Sequence, residues 1–254
     1  MDLADYNIVF NSLSFAIATF GAGTVFFFAQ RSQVAPAYKT ALTLSGLVCL
    51  IAFYHYLRMF ESFNHAYELS NGVVTATGAA FNDAYRYVDW LLTVPLLLLE
   101  LVLVMRLSKE ETYSRGTKLA FAAALMIILG YPGEISAETG TKMLYFVLSM
   151  IPFLYILYVL FGELSNSLDR QPDGVAKTVG NLRLLLIGTW LVYPISYLIP
   201  VFITSPSATE AASLFTYRQV GYTVADVLAK CVFGLTIYKI ARMKSIAEGM
   251  PADH

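Results

Sequence analysis

Lys230 stands in a stretch, 217–242, that is apolar through most of its length, with Asp226 four residues before it. On a helix that spacing stacks the two side chains on one face. A lysine withdrawn from water has two uses. It can form a buried salt bridge that locks helices together, a poor source of stability, or it can act as a nucleophile that condenses with a carbonyl cofactor. The second use leaves a cation in low dielectric, which needs carboxylate counter-ions. A second stretch, 82–105, carries Arg86, Asp89, Thr93 and Glu100. The first three are spaced three and four apart, and Glu100 follows Asp89 by eleven residues, about three turns or about 16 Å along the same face. Asp89 and Asp226 can balance a charge at Lys230, with Arg86 compensating the second carboxylate. The only two tryptophans are Trp90, in the second of these stretches, and Trp190, in another apolar stretch, 179–203, and both stretches would line the same cavity. Trp190, Tyr193 and Tyr197 share a helical face next to Pro194, which suits a flat apolar ligand, although each aromatic taken singly is ordinary packing.

The elements that position these groups follow from composition. The chain has 254 residues, 57% hydrophobic and 14% charged, with a net charge of -1. That balance excludes a soluble globular enzyme, a disordered chain and a nucleic-acid binder. Seven charge-poor stretches are each long enough to cross a bilayer core of about 30 Å: 8–29, 39–60, 82–105, 117–135, 141–164, 179–203 and 217–242. The expected architecture is an all-α membrane protein, a bundle of seven transmembrane helices forming a single domain over 1–254. Twelve basic residues fall on one side, among them Arg31, Lys109, Arg170 and Lys244, against Arg58, Lys142 and Arg218 on the other. The N-terminus is therefore expected outside and the C-terminus in the cytoplasm, at the plasma membrane. Asp2 and Asp5 give the N-terminus the wrong polarity for a signal peptide, so the first helix reads as retained. Turns are expected at 32–36, 70–78, 165–174 and 204–209, and Val73, Val74 and Thr75 between glycines suggest a short β-hairpin within 70–78. Cys49 and Cys231 show no pairing or metal-like spacing and read as buried free thiols.

Three runs resemble the microbial rhodopsins in the order and spacing of that family. RYVDWLLTVPLLLLE (86–100) resembles its third helix, WLVYP (190–194) its sixth and DVLAK (226–230) its seventh. IAFYHYLRM (51–59) is similar to the second helix of the proteorhodopsin and xanthorhodopsin branch. The resemblance implies all-trans retinal bound to Lys230 as a protonated Schiff base. It implies Asp89 as primary counter-ion and proton acceptor, Asp226 as second counter-ion, and Glu100 as cytoplasmic proton donor. Thr93 then corresponds to the hydroxyl near Asp89, Arg86 to the exit-side arginine, His55 to a histidine hydrogen-bonded to the acceptor, and Tyr56 to a partner of Asp226. The retinal pocket is expected from Trp90, Leu97, Met126, Gly130, Phe146, Ser149, Trp190, Tyr193, Pro194 and Tyr197. A leucine at Leu97 accompanies green absorption in the proteorhodopsins. Carboxylates at both 89 and 100 imply protons as the cargo, and family members form trimers or pentamers.

The chain departs from its relatives in one place and leaves one group unassigned. Relatives with a carotenoid antenna have a glycine on the fifth helix where Phe146 stands, so no such antenna is expected; excitation transfer from a carotenoid to retinal in purified protein would overturn this. For the proton-release group, Glu61, Glu68, Glu134, Glu138 and Glu210 are all candidates, each also readable as a solvated charge. The leading function is a light-driven outward proton pump. A photosensor acting through a partner protein is the alternative, disfavoured by Glu100 and by the lack of a signalling domain after Arg242. A light-gated channel and a secondary transporter come next, the latter lacking inverted repeats.

Overall fold

The computed structural model describes residues 1–172, 174–203 and 205–251. Asp173 and Thr204, within two of the expected turns, lie outside the described residues. Among the described residues, seven helical spans are long and apolar enough to cross a membrane: Leu3–Gln33, Pro36–Ala66, Ala84–Met105, Lys109–Ile135, Thr139–Arg170, Val175–Phe202 and Ala208–Ala247. They contain α1 (Leu3–Ala29), α2 (Lys39–Ala66), α3 (Ala84–Met105), α4 (Lys109–Ile135), α5 (Thr139–Tyr158), α6 (Val175–Trp190), α7 (Val192–Phe202), α8 (Ala208–Val227) and α9 (Phe233–Ala247). Successive spans pack against each other and α8 returns to α1, which closes the ring. Large side chains such as Phe15, Phe121, Ile151 and Phe202 face outward as a lipid-contacting surface. The third and seventh spans are the most enclosed, with 61% of their apolar windows buried. These two spans carry Arg86, Asp89 and Glu100, and Asp226 and Lys230.

Several helices run past the ends expected from the charges. α1 starts at Leu3, capped by Asp2, whose side chain accepts from the Asp5 amide at 2.7 Å. α4 starts at Lys109 and not at 117, and α8 at Ala208 and not at 217, each opened by a capping box, Ser108 with Glu111 and Ser207 with Glu210. Charged residues mark where a helix leaves the hydrocarbon, whereas caps mark where it ends. The hairpin pairs β1 (Tyr67–Ser70) with β2 (Val73–Ala76), Ser70 facing Val73. It therefore begins three residues before the expected stretch, directly after α2. Its two-residue turn is Asn71-Gly72, both at positive φ (52° and 78°), the backbone a tight hairpin requires.

Two spans are interrupted where the chemistry lies. The sixth breaks at Leu191, between α6 and α7, because Pro194 has no amide to offer the Trp190 carbonyl one turn earlier. The seventh widens into a π turn over Leu228–Val232, centred on Lys230. Such turns gather at functional sites. The thiols of Cys49 and Cys231 are free and buried as expected, but their Sγ atoms lie 3.7 Å apart, a proximity that residues 182 positions apart do not announce.

Candidate functional site

Lys230 is fully enclosed between two carboxylates. Its Nζ donates to Asp89 Oδ2 and lies 3.3 Å from Asp226 Oδ1. Asp226 is held from several directions. Tyr193 donates to Oδ1 at 2.6 Å, Trp90 Nε1 to Oδ1 at 3.0 Å and Tyr56 to Oδ2 at 2.8 Å, while Arg86 Nη1 stands 3.7 Å from Oδ2. Asp89 has no comparable support: its Oδ1 lacks a hydrogen-bond partner. His55 Nδ1 is 3.9 Å from that oxygen, beyond hydrogen-bond reach, and instead lies 2.9 Å from the Ile51 carbonyl. The bond to the acceptor that the resemblance implied for His55 is therefore absent here, because the ring nitrogen turns to its own helix. Thr93 likewise donates to the Asp89 backbone carbonyl at 2.8 Å and not to its carboxylate.

Arg86 links this centre to one end of the bundle. It donates to Tyr56 at 3.1 Å and to Gln219 Oε1 at 2.6 Å, with its guanidinium 4.9 Å from the Tyr222 ring centre. Toward the opposite end of α3, Glu100 is fully buried and accepts from Ser45 at 2.5 Å, with Oε1 unpartnered. Leu97, Leu98 and Leu101 around it are buried as well.

A cavity runs from Lys230 and Asp226 between α3, α4, α5 and the broken sixth span. Its empty space, with the open mouth and the solvent there included, is about 790 Å³. All ten residues expected of the pocket line it, as do Tyr87, Val94, Ile127, Met150, Phe153, Tyr222 and Ala229, which sequence reasoning missed. Their signal was present in part. Tyr87 and Val94 continue the Trp90–Leu97 face at helical spacing, Met150 and Phe153 follow Phe146 by four and seven, and Tyr222 precedes Asp226 by four. Phe146 packs against Tyr197, ring centres 5.6 Å apart. Gly133 brings α4 against Tyr197 and Tyr145: a Cβ there would fall 2.9 Å from Tyr145 Cβ, so no side chain fits without a shift.

A ring of seven helices around a buried lysine, two carboxylates and an aromatic-lined cavity defines a membrane protein with an enclosed, charge-paired site that suits a flat apolar ligand. Residues 9–243 match the family model of bacteriorhodopsin-like proteins, and the chain belongs to that family. It is 31% identical over 246 residues to the green-light absorbing proteorhodopsin of the gamma-proteobacterium EBAC31A08, covering 96% of this chain and 90% of that one. The crystallographic structure of xanthorhodopsin, described as a light-driven ion pump with dual chromophore, superposes with a TM-score of 0.93 at 50% identity, covering 99% and 98% of the two chains. That of a thermophilic rhodopsin does so at 0.92 and 46%, covering 98% of each. The chain is thus a microbial rhodopsin, a multi-pass protein of the plasma membrane and not an enzyme.

Proposed function

We propose that this rhodopsin is a light-driven outward proton pump that carries all-trans retinal on Lys230. The carrying observation is the unequal support of the two carboxylates at Lys230: one bound by three side-chain donors, the other with a free oxygen. The residues fit retinal, since the cavity is apolar and aromatic along its length and its ionised groups, Asp226 and Lys230, stand together where the linkage would form. When bound, retinal supplies light absorption and a change of shape that alters the proton affinity and the surroundings of Nζ.

The remaining work belongs to the chain. Trp90 and Trp190 orient the ligand and exclude water. Asp226, held by Tyr56, Trp90 and Tyr193, stays ionised and keeps the site charged. Asp89 takes the proton from Lys230 Nζ at a carboxylate oxygen already in contact with it. Glu100, shut in by leucines and tied only to Ser45, holds a proton and returns one to Nζ from the other side. Arg86 balances the charge and does not itself carry a proton. Placing Glu100 toward the cytoplasm follows the basic-residue asymmetry, with the N-terminus outside.

The test is the pH of an unbuffered suspension of cells that express the protein with added retinal, in light and dark. Acidification in light that a protonophore abolishes is the expected result. Alkalinisation enhanced by the protonophore would mean that another cation is moved, and no change from a coloured protein would replace the pump with a sensor.

A further inference from the structure

Of the five glutamates that the sequence left open for proton release, four are plainly solvated or occupied. Glu61 is 59% exposed and paired with Arg58, Glu68 lies exposed on β1, Glu138 binds Thr141, and Glu210 closes the capping box of α8. Glu134, in the last turn of α4, is only 10% exposed. Its Oε1 lies 3.2 Å from Arg218 Nη1, and Tyr87 donates to its Oε2 at 3.4 Å. Arg218 also donates to Asp83. Gln219 donates to Asp83 Oδ1 at 3.2 Å and accepts from Arg86 at 2.6 Å, so polar contacts run without a break from Asp226 through Arg86, Gln219, Asp83 and Arg218 to Glu134. The Tyr222 ring stands beside both guanidinium groups. From α5, Lys142 directs Nζ to the Glu134 backbone carbonyl at 3.3 Å, and from α7, Tyr197 donates to the Lys142 carbonyl at 2.9 Å.

Two features of this cluster decide what it does. Arg218 serves two carboxylates, Asp83 and Glu134, so the trio carries one uncompensated negative charge that a single proton would cancel. The two acids are also unequally held: both Asp83 oxygens take good hydrogen bonds, whereas Glu134 Oε2 has only the long one from Tyr87. Of the trio, Arg218 cannot give up a proton, so its two carboxylates are the members that can take one and pass it on.

We propose that Glu134 is the exit station of the pump: it receives the proton that Asp89 gives up and delivers it to the water outside. The inference rests on the pumping reading above. In the first step an O–H bond at Asp89 breaks and one forms at Glu134 Oε2, restoring the Asp89 carboxylate and leaving Arg218 to Asp83. In the second the Glu134 O–H bond breaks, the proton passes to external water, and the carboxylate returns to Arg218. One proton enters the station and one leaves it in each cycle.

The test is flash photolysis of the retinal-loaded protein in lipid vesicles, with a pH-sensitive dye on the release side, for wild type, Glu134→Gln, Glu134→Asp and Asp83→Asn. Glu134→Gln is expected to delay the dye signal and the return of Asp89 to carboxylate on the order of 10²-fold. Its absorption maximum and the proton transfers at Lys230 stay at wild-type values, and Glu134→Asp recovers much of the delay. Light-minus-dark infrared spectra should gain a carboxylic-acid band as that of Asp89 fades, and the band should be missing from Glu134→Gln. Release at the wild-type rate in Glu134→Gln, or a delay confined to Asp83→Asn, would overturn the proposal while leaving the pump intact. A wild type that moves no protons in light would remove the pump and this station together.

Discussion

The two halves of the bundle on either side of Lys230 are built in opposite ways. Toward Glu100 the interior is apolar: one carboxylate, one serine partner and a packing of leucines. Toward Glu134 it is a connected set of charges, with Arg86, Gln219, Asp83 and Arg218 in hydrogen-bond succession. Between the centre and the end of the third span, Glu100 is the carboxylate set among buried leucines, and the apolar packing around it separates the centre from that end. The charged half offers successive polar contacts, with the carboxylates of Asp83 and Glu134 as places where a proton can rest. In the proposed cycle this asymmetry sets the direction, with supply through the apolar half and release through the charged one. The same contrast repeats at the centre itself, where Asp226 is braced and Asp89 is not.

The sharpest way to break this comparison is to neutralise the two central carboxylates in turn. Asp89→Asn should still bind retinal and fold, yet light-driven acidification should fall at least about 10²-fold, because the proposed acceptor is gone. Asp226→Asn should act on the structure first. It leaves Arg86 and three donors around a neutral group, and removing one partner of a buried ion pair costs about 3–5 kcal/mol. Thermal denaturation of the pigment, measured beside the pH response, separates the two effects. If Asp89→Asn pumps while Asp226→Asn is stable and silent, the two roles must be exchanged.

The Glu100 half is probed more gently. Glu100→Gln keeps the shape and burial of the side chain, so the absorption maximum should barely move, while return of the proton to Lys230 Nζ should slow on the order of 10²-fold. Time-resolved absorption reads this directly. An unchanged photocycle in that variant would mean that the apolar half conducts protons without a carrier, and the contrast between the halves would collapse.

What could be read in advance and what could not divide along a physical line. The stripe Arg86, Asp89, Thr93, Glu100 and the pair Asp226, Lys230 were visible because their spacing lies within one helix, where geometry is set by 3.6 residues per turn. The seven spans were visible because lipid demands length and apolarity. Ser45 against Glu100, Gln219 between Arg86 and Asp83, and Cys49 beside Cys231 depend on how separate helices are rotated in the ring, and no spacing encodes that. Glu134 illustrates the cost. Near a helix end it reads as a loop charge, and only the approach of α3 and α8 encloses it. Helix ends were misplaced for a related reason: charge reports the membrane boundary, whereas Ser108 and Ser207 report the end of the helix.

The smallest effect lies at the Glu100 end, outside the spans, and tests whether that half is fastened as well as insulated. Glu248 follows α9, and its Oε1 accepts from Tyr38 and from Arg106, each at 2.5 Å, tying the end of the seventh span to the second and third. Burial works against its charge, but the hydrogen bonds from Tyr38 and Arg106 outweigh it and hold the carboxyl below the ordinary glutamate value of 4.5. A depressed carboxylate stabilises the fold above its unfolded value, and that contribution disappears as pH falls through the folded one. The group is largely solvated, so the tie contributes no more than about 0.2–1 kcal/mol. Glu248→Gln should therefore lower the thermal stability slightly at pH 7, and the gap to wild type should close as pH drops below about 4.5. A gap that persists at acid pH would show that packing of the Glu248 side chain, and not its charge, fastens this end, and the closed half would then owe its integrity to apolar contact throughout.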